Sequence, residues 1–273
     1  MAYHLSTVQY HILLFLIILP VVAIWFVAFY GYTSMRGYSE LIRKSGEGGP
    51  FKDISTSLAW LAWSLPLTSL VNLIVGAIAN SHAGFYNASQ IINNYASLLV
   101  AIVAFSILGT GSRRLLEREK LRISANTTKT LILGFVVIGT IYCYLVFHDL
   151  GNKALGSANN PYYLPVWLLM FTVVMPYLYA WFVGLLAAYE IRLLSKHAKG
   201  LLYQQALQHF ARGVIVIVAS SIALQYLLTT SPRSNYASLG YLVLIIYCIL
   251  VLLAVGYGLL AFGAKKLKKL EEV

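Results

Sequence analysis

Long, continuously apolar runs alternate along the chain with short polar and basic segments. Neither the period-two alternation of a half-buried strand nor the one-sided stripe of a soluble helix is present. Seven runs, at approximately 11–31, 55–79, 91–109, 130–148, 163–189, 213–230 and 237–262, are near the length of roughly 20 residues that crosses about 30 Å of hydrocarbon. The third, fourth and sixth are the shortest, yet each is bounded by polar or charged residues and holds no Lys, Arg, Asp or Glu. Barrel strands would alternate with short period, so helices are the spanning structure this pattern predicts. The expected fold is an all-α integral membrane protein with seven transmembrane helices, a single membrane domain over residues 1–273.

The connections give this layout a direction. Of the 20 Lys and Arg residues, all but Lys153 and Arg233 fall in alternate connections or in the tail. Arg36, Arg43, Lys44 and Lys52 follow the first run, and Arg113, Arg114, Arg118, Lys120, Arg122 and Lys129 follow the third. Arg192, Lys196, Lys199 and Arg212 follow the fifth, and Lys265, Lys266, Lys268 and Lys269 follow the seventh. Basic residues are retained on the cytoplasmic side, so the amino terminus is expected outside and the carboxyl terminus inside, in the cell membrane. The amino end has no Lys or Arg ahead of its apolar stretch, and the first run is therefore expected to stay as a span.

Composition agrees: 59% hydrophobic and 11% charged residues, with a mean hydropathy of +0.75, lie far from the soluble balance. A net charge of +11 would suggest nucleic acid in a soluble protein, but topology accounts for it here, and the expected surroundings are a lipid bilayer. Cys143 and Cys248 both sit in apolar runs, which points to packing rather than a disulfide framework or metal site.

Two stretches occur twice. NYASL appears at Asn94–Leu98 and again at Asn235–Leu239, each at the expected outer start of a span. FLIILPVVAIWFV in the first run matches FTVVMPYLYAWFV in the fifth, pairing Pro20 with Pro176 and Trp25 with Trp181, and the same offset reaches Arg36 and Arg192. These matches predict a 3+1+3 parallel internal repeat. Its first three-helix unit covers 11–129, a linker helix 130–148, the second unit 163–264 and a basic tail 265–273. Pro20, Pro66 and Pro176 each remove a backbone hydrogen bond within a span and are candidate kinks or hinges.

Polar side chains form two stripes. Ser64, Thr68 and Asn72 recur every four residues in the second span, and Ser221, Gln225 and Thr229 do so in the sixth, which puts each set on one helical face. Uncharged donors and acceptors in equivalent helices suit a neutral, hydrogen-bonding solute, and interhelical hydrogen bonds, worth about 0.6 kcal/mol each, are the competing explanation. No charged residue falls inside the runs, which counts against a proton-coupled pump or voltage sensor. The outer residues His4, His11, His82 and His148 lack a convincing ligand spacing, so neither metal nor cofactor is expected. Asn87-Ala88-Ser89 would be an outer glycosylation acceptor. The segment IRLLSKHAKGLLYQQALQHFARG mixes apolar and basic residues and is expected to lie along the inner membrane surface as a helix.

No nucleophile–base set, phosphate loop or paired carboxylate is found at membrane depth, so no catalytic residue and no enzyme activity are expected. The layout is similar to that of the SWEET-type sugar facilitators, a likeness of architecture carried by no residue motif. The expected function is a facilitative carrier for a small neutral solute, with Ser64, Thr68, Asn72, Ser221 and Gln225 lining the path between the two units. The alternatives are a receptor-like sensor that signals to a cytoplasmic partner, or a structural or accessory membrane protein.

Overall fold

A computed structural model of the chain describes residues 7–43, 49–63, 85–150, 168, 170–230 and 239–271. Among the described residues every regular element is helical. They are α1 (Thr7–Arg43), α2 (49–63), α3 (Phe85–Arg118), α4 (Ala125–Leu150), a single π turn (Met170–Val174) running into α5 (Met175–His197), α6 (Leu201–Thr230) and α7 (Leu239–Glu271). Five stretches are long and apolar enough to cross a membrane: Tyr95–Arg118, Ala125–Val146, Met170–His197, Leu201–Leu227 and Leu244–Lys269. Many large apolar side chains point outward, among them Leu133, Val136, Ile138 and Leu252. Water would make such a surface unfavourable, and hydrocarbon does not. This is the build of a multi-pass membrane protein.

Six helices close a circuit of neighbours in chain order. The ring of Tyr38 on α1 meets Phe51 on α2 edge-on at 5.0 Å. Ser57 on α2 donates to the carbonyl of Ala104 on α3 at 2.7 Å, and Arg114 on α3 pairs with Asp53 on α2 at 2.7 Å. Beyond these, α3 packs on α5, α5 on α6, α6 on α7, and α7 returns to α1. α4 lies outside this circuit against α5 and α6, with only 17% of its candidate span buried compared with 39% to 44% for the other four.

Glycine sets the closest approach. A Cβ on Gly213 of α6 would stand 2.8 Å from the carbonyl oxygen of Gly256 on α7, so the two backbones touch where a side chain would hold them apart.

The ends of the helices have local causes. α3 stops in a Schellman arrangement, with Leu121 N–H donating to Leu116 O, Lys120 N–H donating to Glu117 O, and Lys120 at φ +54°. Ser124 then caps α4 by accepting from the Thr127 N–H at 3.1 Å.

Two expectations fail here. The segment after the fifth run is not a separate surface helix. Its first residues continue α5 to His197, Ala198 is extended, Gly200 turns the chain at φ +96°, and α6 starts at Leu201 and runs directly into its span. The reason is packing: Ala206, Leu207, Phe210 and Ala211 are buried, which keeps this stretch in the bundle instead of at a lipid surface. Nor does the first NYASL open a helix. α3 begins at Phe85, because no Gly or Pro occurs between Phe85 and Gly109 to stop it, and the pentapeptide lies inside it, as does Asn87.

Candidate functional site

α5 carries the centre of the site, and Pro176 shapes how it enters. A proline in a helix cannot donate to the carbonyl four residues back and its ring crowds that carbonyl. Here Pro176 stands in the first turn of α5, directly after the π turn Met170–Val174, and Thr172 Oγ1 donates to Leu168 O at 2.7 Å. The wider turn accommodates the missing bond. Pro20, its match by spacing, lies buried within the continuous helix α1. Pro66 lies outside the described residues.

Directly after Pro176, Tyr177 and, one turn on, Trp181 project on the same side of α5, with rings stacked at 5.3 Å. Both are buried, Trp181 completely. Tyr142 of α4 meets Trp181 edge-on at 5.4 Å and faces Tyr226 of α6 at 6.2 Å. Edge-to-face arrangements of this kind match the ring quadrupoles and hold aromatic rings firmly. The polar atoms of the cluster come from four helices. Trp181 Nε1–H donates to Ser221 Oγ at 3.1 Å, a side-chain hydrogen bond joins Tyr177 to Ser97 of α3, and Gln225 lies buried one turn beyond Ser221. The Tyr142 hydroxyl oxygen is buried and has no hydrogen-bond partner among the described residues. All of these groups are uncharged. They surround the end of α5 that lies away from the basic residues of α3.

Of the residues expected to line a path, Ser221 is brought against Trp181 of α5, and Gln225 is buried one turn further along the same face of α6. Ser64, Thr68 and Asn72 lie outside the described residues. Trp25, which matches Trp181 by spacing, has a buried indole N–H without a partner. Among the described residues no group of three His, Cys, Asp or Glu comes together to hold a metal ion. His148 is exposed and stacks on Tyr144 at 5.9 Å, while His4 and His82 fall outside the described residues.

The aromatic members were not legible from spacing, because Tyr and Trp near span ends read equally well as interfacial anchors. Ser97 was in view, as part of NYASL, but its partner on α5 was not. A second omission is sharper. The apolar run 163–189 stops one residue short of Glu190, yet the helix continues to His197 and Glu190 is only 3% exposed. Ser112 of α3, itself fully buried, hydrogen bonds to Glu190 Oε2, and Arg113 Nε stands 3.8 Å from Oε1. So a charged side chain does occur inside the bundle, within the candidate span Met170–His197. Its signal in the sequence is isolation: Glu190 is the only acid between Asp149 and Glu271.

Comparison with protein-family models, with curated proteins and with solved structures finds no match to this chain.

Proposed function

We propose that this protein is a facilitative carrier of the cell membrane for a small, neutral, hydrogen-bonding solute, which is held at the cluster of Tyr142, Trp181, Ser221 and Gln225. The observation that carries the reading is the Tyr142 hydroxyl, buried among uncharged polar groups with none of them bonded to it. A hydroxyl in that position costs about 1–3 kcal/mol unless something supplies its partner. A solute hydroxyl or amide does so, and the rings beside it offer apolar faces to the solute's carbon skeleton. Among the described residues of the cluster none is charged, which does not favour an ion.

The reading of two three-helix units is supported by the order of neighbours. Exchanging α1, α2 and α3 for α5, α6 and α7 maps each contact of the circuit onto another. The pair α7–α1 becomes α3–α5, α1–α2 becomes α5–α6, and α2–α3 becomes α6–α7. Ser57, bonded to Ala104 O, and Gly213, against Gly256 O, are then counterparts. In this register Leu98 and Leu239, the last residues of the two NYASL copies, sit about three turns apart in depth. The repeat is therefore carried by the helix order and by the α1–α5 match, while the pentapeptide is a shared local sequence. Parallel units related by an axis along the membrane normal place a path at their interface, and the Ser97–Tyr177 bond lies on one such interface. The basic connections set the amino terminus outside, which puts the cluster toward the outer face.

Purified protein in proteoliposomes, assayed with a panel of labelled polyols, sugars and amides, is expected to pass at least one of them. That flux should fall with Gln225→Leu or Asn72→Leu. A solute that binds, with the same sensitivity to Gln225→Leu, but never crosses would overturn the carrier and favour a sensor acting through a cytoplasmic partner.

A further inference from the structure

Glu190 takes no part in the solute cluster. It sits at the other end of α5, where α3 delivers Ser112, Arg113 and Arg114. Ser112 Oγ is close to two acceptors at once, Glu190 Oε2 and the Gly109 carbonyl at 3.1 Å. A serine hydroxyl has one proton and donates it to one acceptor at a time. With Glu190 ionised, that proton goes to the carboxylate, and Oε1 is left facing Arg113 at 3.8 Å, beyond hydrogen-bond distance, on a side chain 64% exposed to its surroundings. With Glu190 protonated, the carboxylic O–H donates to Ser112 Oγ and the Ser112 O–H donates to Gly109 O. Each proton then has an acceptor, and the chain of bonds ties α5 to α3.

The surroundings contain what a two-state group needs. Among the described residues the charged groups acting on Glu190 are Arg113 and Glu117, both on α3, with none from α6. The guanidinium favours the ionised carboxylate and Glu117 opposes it. Close packing surrounds the pair: a Cβ on Gly109 would stand 2.9 Å from Val183, and one on Gly184 would stand 2.8 Å from Phe105, so α3 and α5 have little slack along this seam. A change in what Ser112 and Arg113 hold is therefore felt by both helices.

We propose that Glu190 is a proton-binding site that governs the α3–α5 seam at the basic end of the bundle. In the protonated form Ser112 bridges Glu190 and the Gly109 carbonyl. Loss of the proton to water on the Arg113 side commits the Ser112 proton to the carboxylate, releases Gly109 O and draws Arg113 inward, which repositions α3 against α5. This makes the proton the regulator of the path described above. It rests on the carrier reading for its effect on flux, and not for the proton binding itself.

The test uses the full chain in nanodiscs, with Cys143 and Cys248 replaced by Ala. Spin labels are attached through Glu119→Cys, directly after the end of α3, and Lys196→Cys on α5, both exposed positions. Infrared difference spectra recorded across a pH titration follow the carbonyl stretch of protonated carboxylic acids, and Glu190→Gln serves as the reference that lacks this group. The expected result is a carboxylic band that titrates and is absent from E190Q. A change in the label separation should share its midpoint and be lost in E190Q. Arg113→Gln, a largely exposed change that leaves the packing intact, should move the midpoint to higher pH, because the removed cation favours the ionised form. The proposal is overturned if no band assignable to Glu190 titrates. It is equally overturned if the separation change persists in E190Q, or if Arg113→Gln leaves the midpoint in place. Absence of flux in the same preparation would count against the carrier alone.

Discussion

Replacing Tyr142 by Phe removes one oxygen and leaves the ring that packs on Trp181 and Tyr226. Tyr142 is 7% exposed and its hydroxyl is buried without a partner, so in the empty protein that oxygen contributes a desolvation cost and no bond. Relief of such a group is worth about 1–3 kcal/mol, and a water that visits the site would reduce the gain toward the lower figure. Tyr142→Phe should therefore raise the stability of the solute-free protein by about 1 kcal/mol. It should also weaken solute binding by the loss of one neutral hydrogen bond, about 0.5–1.5 kcal/mol, or roughly two- to tenfold in Kd. Few substitutions move these two quantities in opposite directions, and that opposition is the signature of a site held ready for a ligand. Stability is measured by reversible detergent-driven unfolding in mixed micelles, and affinity by titration of the solute that the flux assay identifies. Destabilisation by Tyr142→Phe would mean that the hydroxyl has a partner in the native membrane. Unchanged affinity would remove Tyr142 from the site. Either result refutes the reasoning.

Further predictions concern the same framework. Ser221→Ala leaves the indole N–H of the fully buried Trp181 without an acceptor and should cost about 1–3 kcal/mol. In the double-mutant cycle with Trp181→Phe, measured by the same unfolding assay, a coupling of about 0.5–1.5 kcal/mol is expected, and additivity would show that the bond is not formed. Gly213→Ala drives a Cβ to within 2.8 Å of Gly256 O and should destabilise by about 1–3 kcal/mol. Gly134→Ala on α4 meets nothing within 4 Å and should be neutral or stabilise by up to about 1 kcal/mol. For topology, a cysteine placed near His82 should react with an impermeant thiol reagent added to intact cells, and one near Lys120 should react only after lysis. The reverse pattern would invert the orientation.

Much of the architecture was legible because the bilayer imposes it. A run of apolar residues long enough to span must be a helix when no water is present to satisfy its backbone, so 130–148 and 237–262 indicate α4 and α7 without any knowledge of their neighbours. Helix ends were less legible. The first apolar run, 11–31, underestimates α1, which continues to Arg43, since a helix does not stop where lipid contact stops. Glu190 was missed for the same reason: the apolar run ends at 189, while the protein interior, built from α3, continues to shelter α5 beyond it. Ser221 and Gln225 could be found from a four-residue spacing on one helix. Tyr142 and Ser97 could not, because their significance depends on helices far apart in the chain.

The sequence by itself determined the membrane, the helices long and apolar enough to cross it, and the gathering of basic residues in some connections and not others. These follow from local quantities, the transfer of apolar side chains and the retention of basic loops, which each segment carries alone. The tertiary structure decided which polar groups are satisfied. Trp181 finds Ser221, Glu190 finds Ser112, and the Tyr142 hydroxyl finds no partner. A hydrogen bond between helices needs two partners brought within about 3 Å, and only the packing of α3, α4, α5 and α6 around one another sets that distance.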